Sequence, residues 1–331
     1  MSPHRPPHPV PPGGAPPGGP APPDGLCAVV LAAGEGRRLR PLTAGVPKAL
    51  CPVGNVPLLD RALARVAGLG LTGAGLVAVN AAYLGDQVAA HVGDRATLSR
   101  EPDGPLGTGG GIGRLRDWIA GRGVLVGNAD AYLAAPGVAP GPDIAALLAG
   151  WDGETVRLLG RPAAPGGRGE FGPWRFAGFS LLPWRSVRDL PAGRAELVTR
   201  VWRPAEAAGA LEVVGYPGTY LDTGTPADYL AANLHAAGDG RLVAPGAEVT
   251  GVVECGVVGA GAVVRGAVVR GVVWPGGYVG PRERLVDAVR VGRDLTVHAR
   301  PAEPAGRTDP VGPAGGADTM RRPAAEPEES G

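Results

Sequence analysis

Residues 26–50 read "LCAVVLAAGEGRRLRPLTAGVPKAL" and contain the most informative local pattern of the chain. The first eight of these residues form an apolar run that predicts a buried strand. Gly34 and Gly36 follow that strand, and three arginines and Lys48 come next. A glycine-rich turn after a strand exposes backbone N–H groups that can bind phosphate oxygens. The stretch therefore predicts a phosphate-binding turn at the end of a buried strand.

Two common phosphate-binding motifs do not fit this turn. The dinucleotide motif requires Gly-x-Gly-x-x-Gly, and its third glycine position is occupied by Leu39. The Walker loop requires Gly-Lys-Ser or Gly-Lys-Thr, which the stretch lacks. What remains is a glycine turn followed by cationic side chains. Arginine and lysine side chains together with backbone amides suit the binding of a polyphosphate.

Strand and helix patterns alternate along the chain around this stretch. Strands are predicted at 26–33, 75–80, 123–130 and 154–160, and helices at 57–69, 83–92 and 143–150. This order predicts an α/β fold with right-handed βαβ units and a Rossmann-like, mainly parallel sheet flanked by helices. The loops after residues 33, 80, 127 and 159 are expected to meet at the carboxyl edge of the sheet, where ligands bind.

The composition of the chain and the spacing of its apolar residues change after about residue 240. Valines recur among glycines and alanines, in part at steps of six, as at Val257, Val263 and Val269. This period predicts a parallel β-helix, and a valine-rich antiparallel meander is the alternative. We interpret residues 25–238 as the main domain and residues 239–298 as a small hexapeptide-like β-helix. Its few coils favour a role in packing or homo-oligomerisation over a catalytic one.

Composition limits the classes of partner. The chain has 331 residues, a net charge of +1 and no basic tail, so we expect no nucleic-acid partner. No apolar run reaches the roughly 18 residues of a membrane span, so no membrane partner is expected. The three cysteines have no paired spacing, which favours a cytoplasmic location. The Pro/Gly-rich segment 1–24 and the Pro/Ala/Glu-rich segment 299–331 are predicted to be disordered tails.

Five blocks of the sequence, in order, resemble the signatures of the sugar-1-phosphate nucleotidylyltransferase family. They are "LAAGEGRRLRPLTAGVPKAL" (31–50), "CPVGNVPLLDRAL" (51–63), "PLGTGGGI" (105–112), "LVGNAD" (125–130) and "YLDTGTPADYLAAN" (220–233). The resemblance covers roughly residues 26 to 235. It implies the nucleotide-diphospho-sugar transferase fold, here followed by a short segment similar to a left-handed β-helix. It also implies that residues 25–238 are a nucleotidyltransferase domain.

The resemblance implies a reaction between two phosphorylated substrates, an NTP and a sugar 1-phosphate. In this family a sugar-phosphate oxygen attacks the α-phosphate of the NTP and pyrophosphate leaves. By the resemblance, Arg38 stabilises the departing pyrophosphate and Lys48 lies between the two reacting phosphates. Asp130 and Asp222 match the two carboxylates that hold Mg²⁺. Alternatively, each aspartate only caps the segment that follows it.

Further binding residues are implied by the resemblance. The expected nucleotide-binding residues are Leu31, Ala32, Ala33, Gly34, Gly36, Asn80, Gly107, Thr108 and Gly109. The glycine-rich loop 107–113 is expected to recognise the base, with a flexible hinge as the alternative. For Asn80 the alternative is a structural role in closing a turn. The expected sugar-phosphate-binding residues are Asn128 in the fourth block and, outside the five blocks, Glu170 and Arg175, for which a surface role is the alternative.

The choice of substrates stays open at this point. Mannose-1-phosphate guanylyltransferases combine a "PLGT-G" loop with a β-helical tail, so GTP with mannose 1-phosphate is the first expectation. The piece "GRGEF" (167–171) instead resembles the N-acetylmuramate-1-phosphate and heptose-1-phosphate branch, so UTP or dTTP with another sugar phosphate is the alternative. Alternatives from other classes are an inactive subunit that senses a nucleotide-sugar and a scaffold protein assembled through the β-helix.

Overall fold

A computed structural model describes residues 25–299 of the chain. The two tails predicted to be disordered, residues 1–24 and nearly all of 299–331, lie outside the described residues. Within the described range, no helix combines the length and the apolar character that crossing a membrane requires.

The first part of the described chain alternates strands and helices. Its strands are β1 (Leu26–Leu31), β2 (Pro52–Val53), β3 (Val56–Pro57), β4 (Val77–Ala81), β5 (Thr97–Arg100), β6 (Gly123–Asn128), β7 (Ala131–Ala134), β8 (Val156–Pro162), β9 (Trp174–Leu182), β10 (Leu211–Gly215) and β11 (Thr219–Asp222). Its α-helices are α1 (Leu58–Gly68), α2 (Gly85–Val92), α3 (Gly107–Arg114), α4 (Arg116–Ile119), α5 (Trp184–Val187), α6 (Arg203–Ala207) and α7 (Pro226–Ala237). Short 3₁₀ helices are Arg37–Leu39, Lys48–Leu50 and Pro142–Leu147, and a π-helical turn spans Val198–Trp202.

A seven-stranded sheet with the order β10-β8-β9-β6-β1-β4-β5 forms the centre of this part. Its neighbouring strands pair in parallel, except at β9, which runs antiparallel to both β6 and β8. The predicted α/β class with a mainly parallel sheet is confirmed. Leu31 at the end of β1 is in register with Asn80 in β4 and with Asn128 in β6. The three strands therefore deliver their following residues to one edge, as predicted.

Two local predictions were wrong. Residues 107–113, expected to be a loop, lie in the helix α3 (Gly107–Arg114), because the backbone of this segment packs closely on the segment 190–196. The Ala195 carbonyl accepts hydrogen bonds from Gly109 N at 2.9 Å and from Gly110 N at 3.1 Å. A Cβ at Gly110 would overlap the Gly193 carbonyl, so this packing requires glycine and outweighs its low helix propensity.

The second wrong prediction is the helix at 143–150, where the structure has a 3₁₀ helix ending at Leu147. The carboxylate of Asp143 accepts a hydrogen bond from Gly141 N at 2.9 Å and turns inward to Arg65. This local bonding accompanies the tighter winding of the segment.

The second part of the described chain consists of stacked short strands. They are β12 (Arg241–Val243), β13 (Glu248–Val249), β14 (Val252–Val258), β15 (Val263–Val264), β16 (Ala267–Val273), β17 (Tyr278–Val279), β18 (Arg284–Val291) and β19 (Leu295–His298). They form the sheets β12-β14-β16-β18-β19 and β13-β15-β17, parallel except for β19. This arrangement is consistent with the predicted β-helix and not with an antiparallel meander. Stacked positions such as Val257, Val272 and Val289 are 15 and then 17 residues apart, so a strict six-residue step does not describe the coils.

The helix α7 joins the two parts through one shared core. Tyr229 is fully buried, accepts a hydrogen bond from Trp274 Nε1 at 3.0 Å and donates one to the Pro52 carbonyl. Burial raises the pKa of Tyr229 well above its ordinary value. Leu39, which follows the phosphate turn, lies in the same core. Because both parts belong to one compact unit, the domain boundary after residue 238 stays a prediction.

A buried ion pair joins α1 to the 3₁₀ helix Pro142–Leu147, and its arginine also bonds to β7. Arg65 Nε lies 2.9 Å from Asp143 Oδ2, and the two side chains are only 4% and 1% exposed. Arg65 Nη2 also donates to the Leu133 carbonyl in β7 at 2.6 Å, and Tyr216 OH donates to Asp143 Oδ2 at 3.2 Å. Because β7 begins directly after Asp130, this network supports the strand that positions a predicted site residue.

Asp143→Ala should lower the free energy of unfolding by about 3–5 kcal/mol, since it leaves the Arg65 guanidinium buried and unpaired. Urea titration followed by circular dichroism measures this loss. The matched control is Asp189→Ala, which breaks the pair between Arg188 and an aspartate that is 80% exposed and should change stability little. Equal losses in the two variants would contradict a structural role for the buried pair.

Candidate active site

The predicted phosphate turn depends on the conformation of Gly36. Gly36 has φ +61°, in the left-handed region that favours glycine. The hydroxyl of the fully buried Thr43 donates to the Gly36 carbonyl at 2.8 Å and closes the turn. A Cβ on Gly36 would lie 2.9 Å from Lys48 Cβ and 3.0 Å from Thr43 Cγ2. Glycine at this position therefore allows Lys48 to pack directly against the turn.

Two cations and two carboxylates meet beside this turn. Lys48 Nζ lies 2.7 Å from Asp130 Oδ2 and 3.8 Å from Asp222 Oδ1. Arg38 Nη2 lies 3.7 Å from Asp222 Oδ2. The side chain of Lys48 is only 8% exposed, whereas those of Asp130 and Asp222 are 46% and 48% exposed. The carboxylates can therefore reach a ligand while they hold the lysine in place.

Strand pairing brings the two aspartates together although they are far apart in the sequence. The strands β7 and β11 are antiparallel, and Asp222 is in register with Ala131, the residue after Asp130. The fully buried Thr223 adds a hydrogen bond from its hydroxyl to the Asp130 carbonyl at 2.8 Å. Thr223 was not predicted to be a site residue, and its signal was its place directly after Asp222 in the fifth block.

A cavity of about 230 Å³ lies next to the charged cluster, at the carboxyl edge of the sheet. Most of the predicted site residues line it, namely Leu31, Ala32, Ala33, Gly34, Lys48, Asn80, Gly107, Thr108, Asn128 and Asp130. Ala49, Pro105, Ala129 and Glu196 complete the lining. Gly36, Arg38 and Asp222 lie beside it through the contacts given above. Gly109, which was also predicted to bind nucleotide, is buried in α3 and does not line the cavity.

Glu196 lies in the cavity wall although no sequence signal identified it. Its Oε2 accepts hydrogen bonds from the Thr108 hydroxyl at 2.9 Å and from Thr108 N at 3.2 Å. The Thr108 hydroxyl in turn accepts a hydrogen bond from Leu197 N at 2.9 Å. Glu196 belongs to none of the five sequence blocks, so its place depends on packing between distant segments.

The two predicted sugar contacts on the β8–β9 connection do not line the cavity. Glu170 Oε2 accepts a hydrogen bond from Phe176 N at 3.0 Å, and Arg175 is exposed. The pKa of Tyr220 is raised mainly by burial, then by the charges of Asp130 and Asp222, and to a smaller extent by Glu170. The role of Glu170 and Arg175 in sugar binding stays a prediction.

The chemistry of the donors fits Mg²⁺, although no group of three or more His, Cys, Asp and Glu side chains in residues 25–299 is arranged to hold a metal ion. Magnesium in phosphate-transfer sites takes one or two carboxylates, and substrate phosphates and waters supply its other ligands. Asp130 and Asp222 provide two half-exposed carboxylates at one place. Two protein carboxylates are therefore compatible with a metal that arrives with a phosphorylated substrate.

Comparison with known protein families covers the part of the site that contains Arg38, Lys48 and Asp130. A model of the MobA-like NTP transferase domain matches residues 28–173. The chain is similar to the N-acetylmuramate alpha-1-phosphate uridylyltransferase of Caulobacter vibrioides, with 30% identity over 241 residues that cover 63% of this chain and 96% of the relative. It is also 38% identical over 109 residues to the corresponding protein of Neisseria meningitidis serogroup B, covering 31% of this chain and 46% of the relative.

A relative of another type is the mannose-1-phosphate guanylyltransferase of Mycobacterium tuberculosis, 35% identical over 126 residues. That match covers 37% of this chain and 32% of the relative, so the chain spans less than half of two of these curated relatives. Among solved structures, a candidate glucose-1-phosphate thymidylyltransferase from Bacillus anthracis, in complex with a sucrose, has a TM-score of 0.53 at 18% identity. The match covers 64% of this chain and 95% of that protein, and it supports the fold alone.

Gly36→Ala should cost about 1–3 kcal/mol of stability, because alanine is strained at this φ and its Cβ would displace Lys48. It should also weaken NTP binding, since Lys48 would leave the pocket between the aspartates. Thermal unfolding and NTP titration calorimetry measure the two effects. Gly45→Ala is the matched control, because Gly45 has an ordinary φ and open space at its Cβ position. Unchanged stability and binding in Gly36→Ala would show that the turn does not need glycine.

Proposed function

Because the chain belongs to the sugar-1-phosphate nucleotidylyltransferase family, we propose that it transfers a nucleotidyl group from an NTP to a sugar 1-phosphate and releases pyrophosphate. One observation carries this proposal: Lys48 lies between Asp130 and Asp222, with Arg38 beside Asp222, next to the cavity. The presence of all four groups together supports an active enzyme over a nucleotide-sugar sensor or a scaffold with a vestigial site.

The reaction requires alignment of two anions and stabilisation of a leaving anion. A phosphate oxygen of the sugar 1-phosphate forms a bond to the α-phosphorus of the NTP, and the bond from that phosphorus to the pyrophosphate oxygen breaks. Little covalent chemistry is needed from the protein, so positioning and electrostatics supply the catalysis. In the proposal, the Lys48 ammonium bridges the two reacting phosphates. Arg38, whose side chain is 70% exposed, neutralises the charge that develops on pyrophosphate.

Asp130 and Asp222 would hold Mg²⁺ in this proposal. When bound, such an ion neutralises negative charge on phosphate oxygens. The contact of Lys48 with both carboxylates keeps them at one place before substrate binds. The hydroxyl of Thr223 positions the backbone of Asp130 and thereby supports the same pair.

We propose GTP and mannose 1-phosphate as the first substrate pair. The "PLGT-G" block, residues 105–109, contributes Pro105, Gly107 and Thr108 to the cavity lining, and parallel strands follow the α/β part. The similarity to the mycobacterial guanylyltransferase supports this pair. The second candidate is UTP with N-acetylmuramate 1-phosphate, which is favoured by the relative that is matched over 96% of its length.

A cytoplasmic location and a homo-oligomer formed through the C-terminal strands belong to the same proposal. The free thiols of Cys27 and Cys51 are buried. Burial raises the pKa of Cys27 to about 11 and that of Cys51 to about 12, so both thiols stay protonated near neutral pH.

Val252 in β14 and Val286 in β18 are exposed, at 55% and 36%, which supports contact between copies through the C-terminal strands.

Pyrophosphate release from GTP, UTP, dTTP and ATP, each paired with common sugar 1-phosphates, tests the proposed function. With Mg²⁺ we expect turnover and the highest kcat/KM for GTP with mannose 1-phosphate, and with EDTA we expect none. Faster turnover of UTP with N-acetylmuramate 1-phosphate would select the second candidate. Absence of turnover with every pair, together with binding of a nucleotide-sugar, would reject the enzyme in favour of the sensor.

Arg38→Ala should lower kcat by about 10²- to 10³-fold with a smaller change in the KM for NTP, because its charge acts mainly as pyrophosphate leaves. Steady-state kinetics with the preferred pair measures both constants. Arg40→Ala is the matched control, since Arg40 is an exposed arginine two residues further along the same stretch. An Arg38 variant with the kcat of the Arg40 variant would remove Arg38 from the mechanism.

A further inference from the structure

We infer that Asn80 and Glu101 form a buried positioning pair that holds two walls of the cavity at a fixed spacing and thereby sets NTP affinity and base preference. Asn80 was expected to contact the nucleotide, and Glu101 belongs to none of the sequence blocks. The kinetic part of this inference rests on the proposed function. Its binding part does not, because NTP affinity can be measured without turnover.

Three hydrogen bonds join one cavity wall to the other. Asn80 Oδ1 accepts from Ala32 N at 2.7 Å, at the end of β1. Asn80 Nδ2 donates to Glu101 Oε1 at 2.8 Å. Glu101 Oε2 accepts from Leu106 N at 2.8 Å, directly before α3. One wall of the cavity is formed by residues 31–34, which include Ala32. The other is formed by Pro105, Gly107 and Thr108, and Leu106 lies between the first two of these. The chain of bonds therefore spans the two walls.

The pair is buried and its polarity is fixed. Asn80 and Glu101 are each only 2% exposed. The backbone N–H at each end can only donate, so the Asn80 oxygen must face Ala32 and the Asn80 amide nitrogen must face Glu101. Both Glu101 oxygens therefore accept. The carboxylate lies at the N-terminus of α3, where the helix dipole favours an anion, which offsets part of the cost of its burial.

The helix α3 packs directly on the pair. A Cβ on Gly111 would lie 2.7 Å from Asn80 Nδ2 and 3.1 Å from Glu101 Oε1. Glycine at this position lets α3 approach the two side chains, so the pair contacts β1, β4 and α3 at one point. A change in its length or polarity should therefore move the wall that carries Gly107 and Thr108 relative to the wall that carries Ala32.

The polarity of the pair can be reversed without loss of a hydrogen bond. Glu101→Gln places an amide where two acceptors are needed, so one of the two bonds is lost. Asn80→Asp places a second acceptor opposite Glu101, so the central bond is lost and two carboxylates face each other. In the double variant, the new amide nitrogen at position 101 would donate to the new carboxylate at position 80, and the amide oxygen at position 101 would accept from Leu106 N. All three bonds can then re-form with the central donor and acceptor exchanged.

NTP titration calorimetry on the full chain, together with steady-state kinetics for GTP and UTP, tests this inference. Each single variant should weaken NTP binding at least about tenfold, raise the KM for NTP more than the KM for sugar 1-phosphate, and shift the ratio of kcat/KM for GTP over UTP at least about threefold. The double variant should restore all three values to within about threefold of the wild type. Asp152→Asn is the matched control, since Asp152 also accepts bonds from backbone N–H groups but lies in an exposed turn. It should change none of them.

Three outcomes would overturn the inference. The first is wild-type NTP affinity in both single variants. The second is a double variant that melts like the wild type but binds NTP no better than the weaker single variant. The third is an equal rise in both KM values with an unchanged base ratio, which indicates only lost stability. If the single variants fail to fold, a folded double variant with near-wild-type affinity supports the inference, and an unfolded one contradicts it. A wild-type protein that binds NTP but turns over no pair would reject the proposed function alone.

Discussion

The candidate active site depends on one arrangement, in which the nearly buried ammonium of Lys48 lies between the carboxylates of Asp130 and Asp222. A lysine removed from water needs such partners, because an unpaired buried charge is costly. The three groups come from segments that are distant in the sequence. The antiparallel pairing of β7 with β11 and the turn around Gly36 bring them together. The site therefore exists only while the sheet edge and the turn keep their geometry.

The glycines of α3 allow this helix to pack closely on the segment 190–196. Helices leave their first backbone N–H groups without partners inside the helix. Here Glu101, Glu196 and the Ala195 carbonyl accept those hydrogen bonds from outside the helix. The acceptors approach closely because several helix positions carry no side chain. Residues that line the cavity, such as Thr108, are thereby fixed by the segment 190–197, which itself contributes Glu196 to the cavity lining.

The C-terminal strands also support the candidate site, through a core that they share with α7. Trp274 and Tyr229 join these strands to α7, and their core includes Leu39, the neighbour of Arg38. The valine pattern correctly predicted parallel stacking in this part. It did not predict the 15- and 17-residue spacing of stacked positions, because the length of a coil depends on its turns as well as on its apolar residues.

Local sequence patterns were enough to predict the alternation of strands and helices, the glycine turn after β1 and the charged groups Arg38, Lys48, Asp130 and Asp222. These features depend on local periodicity and on short motifs, which can be recognised without knowing which residues are neighbours in space. The helix over residues 107–114 and the hydrogen bond from Asn80 to Glu101 became visible only in the folded structure. Both depend on contacts between segments far apart in the chain, where packing and buried hydrogen bonds outweigh local propensity.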